Sequence, residues 1–128
     1  MHTASCLCGA IQIDIQHEIS EINICHCQQC QKAQGGAFAA VAVISKSDLQ
    51  IKAGLKEIQS YYSSASKKRC FCQICASPLW SERDELPDVI RLRVGLINEP
   101  LNVQKLNHAF LDEKSLWLTD SFLNQKLI

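Results

Sequence analysis

Eight cysteines fall in three tight groups along 128 residues, and this grouping restricts the fold more than any other feature of the chain. Cys6-Leu7-Cys8 lies near the N-terminus, Cys25-His26-Cys27-Gln28-Gln29-Cys30 follows, and Cys70-Phe71-Cys72-Gln73-Ile74-Cys75 comes later. A Cys-x-x-Cys turn aims two sulfurs at one point, as tetrahedral zinc requires, and a closed zinc site takes four such ligands. Cys72 and Cys75 form one such knuckle, and Cys6 with Cys8 could supply the other sulfurs. Cys25, Cys27 and Cys30 are then left as three ligands with one position open. Four protein ligands mark a structural zinc, whereas three with an exchangeable fourth mark a reactive one. The expectation is two zinc sites per chain. The plainer alternative for the second is another structural zinc, completed by His26 or a distant side chain.

The length suits one domain over residues 1–128, large enough for a real core. A hydrophobic share of 47% with 20% charged residues predicts an ordered chain. Thirteen basic residues cancel thirteen acidic ones, which removes the electrostatic reason to expect nucleic acid or an acidic membrane as partner. A small molecule is the better expectation, and the oligomeric state is left open. Met1-His2-Thr3-Ala4-Ser5 has neither the basic nor the apolar region of a secretory leader. No apolar run approaches the roughly 20 residues that span a bilayer. The expected location is the cytoplasm, where clustered cysteines serve as metal ligands or redox thiols rather than as disulfides.

Short strands dominate the rest of the pattern. Ile11, Ile13 and Ile15 alternate with polar residues and should face a core, and Ile19, Ile22 and Ile24 lead to the second cysteine group. Gln28–Gln34 reads as a short helix stopped by Gly35-Gly36. Residues 37–44 are continuously apolar, which predicts a strand buried on both faces. Leu49-Gln50-Ile51-Lys52 precedes a turn at Gly54, and Ile58–Tyr62 forms another strand. A serine-rich loop should then run into Lys67-Lys68-Arg69, the one basic run. Pro78-Leu79-Trp80 resumes a strand. Later, Ile90, Leu92 and Val94 point one way while Arg91 and Arg93 point the other. Val103, Leu106, Phe110, Trp117, Leu118, Phe122 and Leu123 should pack back on the sheet. The fold class is therefore mainly β, with two sheets pinned by zinc and little helix.

The chain resembles the glutathione-dependent formaldehyde-activating enzyme family, which includes centromere protein V-like proteins. The resemblance rests on Cys6-Leu7-Cys8-Gly9-Ala10-Ile11, Cys25-His26-Cys27-Gln28-Gln29-Cys30, Gly35-Gly36-Ala37-Phe38 and Arg69-Cys70-Phe71-Cys72-Gln73-Ile74-Cys75. It continues through Pro78-Leu79-Trp80, Gly95-Leu96-Ile97-Asn98-Glu99-Pro100, and His108 with Trp117. It implies stacked antiparallel sheets in a tent-like fold, a structural zinc on Cys6, Cys8, Cys72 and Cys75, and a second zinc on Cys25, Cys27 and Cys30. It also implies a carbon–sulfur lyase that joins formaldehyde to glutathione, giving S-hydroxymethylglutathione. Two departures from the family pattern stand out: Ala4 replaces a glycine, and Ala76-Ser77 replaces a Gly-Thr pair. If the knuckle turn puts residue 76 at positive φ, alanine fits it poorly.

Zinc on three thiolates is electron-rich, so it suits holding a substrate sulfur better than polarising a carbonyl. Cys25, Cys27 and Cys30 are therefore the candidate catalytic cluster, with glutathione as cosubstrate. Lys67, Lys68 and Arg69 could clamp the glutathione carboxylates, with Arg91 and Arg93 as the alternative and a solvated basic loop as the plain one. His26 is expected to point away from the metal, and His108 to be a satisfied, partly buried histidine. Cys70 fits neither metal set and reads as a buried free thiol. The competing function is a zinc-stabilised binding module without catalysis.

Overall fold

The computed structural model describes residues 1–120. Its strands, in chain order, are β1 (His2–Ser5), β2 (Gln12–Ile15), β3 (Glu21–Cys25), β4 (Ala39–Ser45), β5 (Leu49–Ala53), β6 (Ile58–Tyr62), β7 (Lys67–Cys72), β8 (Pro78–Arg83), β9 (Leu86–Arg93) and β10 (Lys105–Ala109). A short α-helix, α1 (Gln28–Gln34), follows β3. β1, β2 and β5 make a three-stranded sheet, and a seven-stranded sheet runs in the order β10-β3-β4-β9-β8-β7-β6. The ladders are antiparallel except for β10, which pairs parallel to β3.

The core forms where the two sheets face each other. Alternation puts Ile13 and Ile15 of the small sheet inward, and they share one apolar cluster with Ile44, Cys70, Cys72, Trp80, Ile90 and Leu92 of the large sheet. Cross-strand register places Leu92 opposite both Ala42 and Trp80, and Trp80 opposite Cys70, so one face of the large sheet is apolar across four strands. The other face carries Lys67, Arg69, Ser81, Arg83, Arg91 and Arg93 by the same period of two. α1 ends where Gly35 enters the left-handed region at φ 67°, and its N–H bonds the Gln31 carbonyl.

Several sequence expectations need correction. The basic run is not in a loop: Lys67, Lys68 and Arg69 open β7, so neighbours alternate between faces. β4 is not buried on both faces throughout, because Val43 is 44% exposed. Val94 leaves the β9 alternation for a short 3-10 turn. Among the described tail residues Leu106, Phe110 and Trp117 are exposed rather than packed on the sheet, while Val103 and Leu118 are half-buried. Phe122 and Leu123 lie outside the described residues.

Gly54, at φ 81°, turns the chain after β5 where a Cβ would lie 2.2 Å from the Ala10 carbonyl oxygen. Backbone cannot yield there as a flexible side chain could. Gly54→Ala should therefore destabilise the fold by about 2 kcal/mol or more, combining left-handed strain with a steric clash. Urea denaturation of the two proteins measures this directly.

Candidate metal centre

Cys6, Cys8, Cys72 and Cys75 bring four sulfurs within 4.8 Å of one another. Cys6 and Cys8 come from the bend after β1, and Cys72 and Cys75 from the turn between β7 and β8, so the cluster links the two sheets. Sulfurs about 2.3 Å from a tetrahedral ion stand about 3.8 Å apart. Here Cys6 and Cys8 are 3.6 Å apart and Cys8 and Cys72 are 3.9 Å apart, so the donors fit such an ion and are too distant for a disulfide. The Ile11 N–H donates to Cys6 Sγ at 3.3 Å, as backbone does to a charged sulfur. Hydrogen bonds from Ser77 drop the Cys75 thiol to about 5, while at Cys8 the lowering by the Ala10 backbone is outweighed by desolvation and the neighbouring thiols, and the group rises to about 11. A cation among them would let all four ionise.

Cys25, Cys27 and Cys30 form the second cluster, three sulfurs within the same span. Cys25 ends β3, Cys27 caps α1 and Cys30 lies in its first turn. Cys27 Sγ accepts the Cys30 N–H at 3.3 Å and lies 3.4 Å from Cys25 Sγ. Burial, with Cys27 and Cys30 alongside, pushes Cys25 up to about 12. Burial also pushes Cys30 up, but its contacts with Cys25, Cys27 and Arg69 outweigh that, and it ends below the ordinary thiol value. Among the described residues no histidine or carboxylate joins this cluster. His26 turns away, buried, with Nε2 sharing a hydrogen bond of 3.0 Å with Nδ1 of His108. Burial, then the His108 ring, lowers its pKa, so it is neutral near pH 7.

One side of the three-sulfur cluster opens on a cavity of about 520 Å³ lined by Cys25, Cys27, Lys67 and Arg83. Arg69, from the same face of β7, places Nη2 3.9 Å from Cys30 Sγ. Lys68 faces the opposite way and pairs with Glu82 at 3.6 Å. The three basic residues therefore do not act as one clamp. Glu82 also meets Lys46 at 2.7 Å and accepts from the Trp80 indole at 3.0 Å. Cys70 lies outside both clusters, buried 3.8 Å from Glu82, and burial with that carboxylate pushes it up to about 11. Sequence reasoning passed over Arg83, although it shares parity with Ser81 and pairs with Lys67 across β7 and β8. It also passed over Glu113, which accepts the Gln28 N–H at the start of α1 from far along the chain.

The fold and the two sulfur clusters define a mainly-β protein whose grouped cysteines could hold metal. The glutathione-dependent formaldehyde-activating enzyme model matches residues 1–113, and the chain belongs to that family. A Halomonas elongata protein, provisionally named a glutathione-dependent formaldehyde-activating enzyme, is 26% identical over 121 residues, covering 89% of this chain and 77% of its own. A crystal structure of a Rhodobacter sphaeroides protein shares the fold with a TM-score of 0.66 at 22% identity, over 84% of this chain and 99% of the other. No helix among the described residues is long and apolar enough to cross a membrane.

Ala76 follows the Cys72–Cys75 knuckle at φ 65°, with its N–H on the Cys72 carbonyl at 2.8 Å. Left-handed backbone costs an L-residue about 1–2 kcal/mol, partly offset in a glycine variant by the looser unfolded chain. Ala76→Gly should raise stability by about 0.5 to 1 kcal/mol. A lower thermal midpoint for that variant would show that the turn is not strained.

Proposed function

We propose that this chain is a zinc-dependent carbon–sulfur lyase-type enzyme, one cytoplasmic domain that joins glutathione or a close analogue to formaldehyde and reverses the step. The observation that carries this reading is the three-sulfur cluster at the edge of a cavity lined by Lys67 and Arg83. Family membership and the name of the Halomonas relative support the thiol and the aldehyde. On this reading Cys6, Cys8, Cys72 and Cys75 hold a structural zinc, and Cys25, Cys27 and Cys30 hold a second. Zinc on three thiolates supplies a fourth coordination position where a substrate sulfur is kept as the thiolate.

The chain's own residues do the positioning. Lys67 and Arg83 face the cavity, which Glu85 and Glu113 also line, and attract the two carboxylates of glutathione, while Arg69 stays beside Cys30 and offsets the negative charge of the cluster. Lys68 takes no part, because Glu82 holds it on the far face. In the reaction the glutathione sulfur bonds to the formaldehyde carbon and the carbonyl π pair moves to oxygen. The proton given up by the thiol ends on that oxygen, so S-hydroxymethylglutathione forms with nothing left over.

One observation favours the competing reading of a binding module: Cys27 also caps α1, so the second cluster has a structural duty. Two variants separate the readings. Cys72→Ser should unfold the protein, since binding energy at a closed site, on the order of 10 kcal/mol, is folding energy. Cys27→Ser should lose about one zinc per chain with a near-parental circular dichroism spectrum. It should also abolish protein-dependent exchange between glutathione and its formaldehyde adduct, followed by NMR. Cys27→Ser unfolding as fully as Cys72→Ser would favour the module.

Glutathione should release a proton on binding, seen by calorimetry in buffers of different ionisation enthalpy, because the sulfur binds as thiolate. Its affinity should fall with salt and with Arg83→Gln. Equal affinity for S-methylglutathione without proton release would remove the sulfur from the cluster.

A further inference from the structure

A second cavity, of about 540 Å³, lies between α1 and β6–β7, and none of the three clustered cysteines lines it. Its lining joins Arg69 and Arg93 to Ala33, Tyr61, Phe71 and Pro78. Both arginines are more than nine-tenths buried, at 9% and 6% exposure. Arg69 donates through Nε to Ser63 Oγ at 3.0 Å and through Nη2 to Gln29 Oε1 at 3.0 Å, but its Nη1 is buried without a partner. Arg93 donates through Nε to Gln34 Oε1 at 2.8 Å, and through Nη1 to Ser81 Oγ at 3.4 Å and the Arg91 carbonyl at 3.1 Å.

Every oxygen in that set is neutral. The ion pairs among the described residues involve Met1, His2, His17, Lys46, Lys68 and Lys105, and none reaches Arg69 or Arg93. Cys30 offsets Arg69 on its Nη2 side only. Burying two guanidiniums beside a single negative cluster is costly, and an orphaned buried N–H adds to that cost. α1 could have supplied a carboxylate where it supplies Gln29 and Gln34. Two like charges, with Lys32 as a third, thus line a recess whose remaining walls are largely apolar, which is the arrangement for an incoming anion. The apolar walls select an organic one. Formaldehyde needs neither the volume nor the charge.

We infer that this cavity binds a small organic carboxylate bearing an apolar group, seated on Arg69 and Arg93, separately from a thiol at the three-sulfur cluster. The carboxylate would sit against the parts of Arg69 and Arg93 that line the cavity, while its apolar part lies along Phe71 and Tyr61. This site does not depend on the lyase reading, because it needs neither sulfur chemistry nor formaldehyde.

Benzoate is the probe, titrated into the zinc-loaded full chain with NMR detection, against benzyl alcohol and inorganic phosphate. Benzoate should shift Ala33, Phe71 and Trp80 resonances saturably, and both controls should bind about tenfold more weakly or worse, since a charged hydrogen bond and the apolar contact each contribute. Arg69→Gln should weaken benzoate about tenfold or more. Should that variant fail to fold, Ala33→Trp, at an exposed helix position, should block the mouth instead. Glutathione should leave benzoate affinity unchanged. The inference is overturned by the absence of saturable shifts at millimolar benzoate, by equal binding of benzyl alcohol or phosphate, or by indifference to Ala33→Trp. Displacement of benzoate by glutathione would likewise overturn it, assigning both arginines to the tripeptide's carboxylates.

Discussion

The convergence of Cys6 and Cys8 with Cys72 and Cys75 is the constraint on which the rest of the structure depends. Those sulfurs come from opposite sheets and lie within 4.8 Å of one another, so closing the cluster fixes how the three-stranded sheet sits on the seven-stranded one. The aliphatic core then fills the space that the closure defines, with Ile11, Ile13 and Ile15 against Leu79, Ile90 and Leu92. Gly54 and Ala76 show how little freedom remains near it. One accepts a backbone approach that no side chain could, and the other holds an L-residue in the left-handed region beside the knuckle.

Alternation along β7, β8 and β9 then separates two chemistries on one sheet. The inward face is apolar and carries Cys70, Cys72, Trp80 and Leu92, whereas the outward face carries Lys67, Arg69, Arg83, Arg91 and Arg93. The second sulfur cluster sits beside that basic face, so its thiolates and the arginines share one electrostatic neighbourhood. Burial lowers the Arg93 pKa to about 10, and the like charge of Arg69 adds to this, yet the group stays protonated near neutral pH. A net charge of zero over the chain therefore conceals a locally positive surface.

Much of this was legible in the residues. Gln28–Gln34 as a helix and Ile58–Tyr62 as a strand follow from pattern and stop signals, and both elements have those bounds. The four-sulfur and three-sulfur groupings follow from spacing, because short turns can aim sulfurs in only a few ways. Lys67-Lys68-Arg69 misled because three adjacent charges after a serine-rich stretch look solvated. Yet Cys70-Phe71-Cys72 extends the strand backwards through them, and β6 and β8 pair with it on either side. The tail misled in the other direction, since apolar residues such as Trp117 do not by themselves say whether a core has room for them.

The sequence by itself determined which atoms could meet a metal, which strands had an apolar face and where the helix stopped, since all three depend on neighbours a few residues apart. Only the tertiary structure decided that His26, expected to turn from the sulfurs, meets His108, that Lys68 is held by Glu82 on the face away from Arg69, and that Arg83 joins Lys67 at the cavity. It also decided that β10 runs parallel to β3, which puts His108 within reach of His26. Each of these joins residues from different strands, and strand order and register, not local pattern, set which side chains share a face.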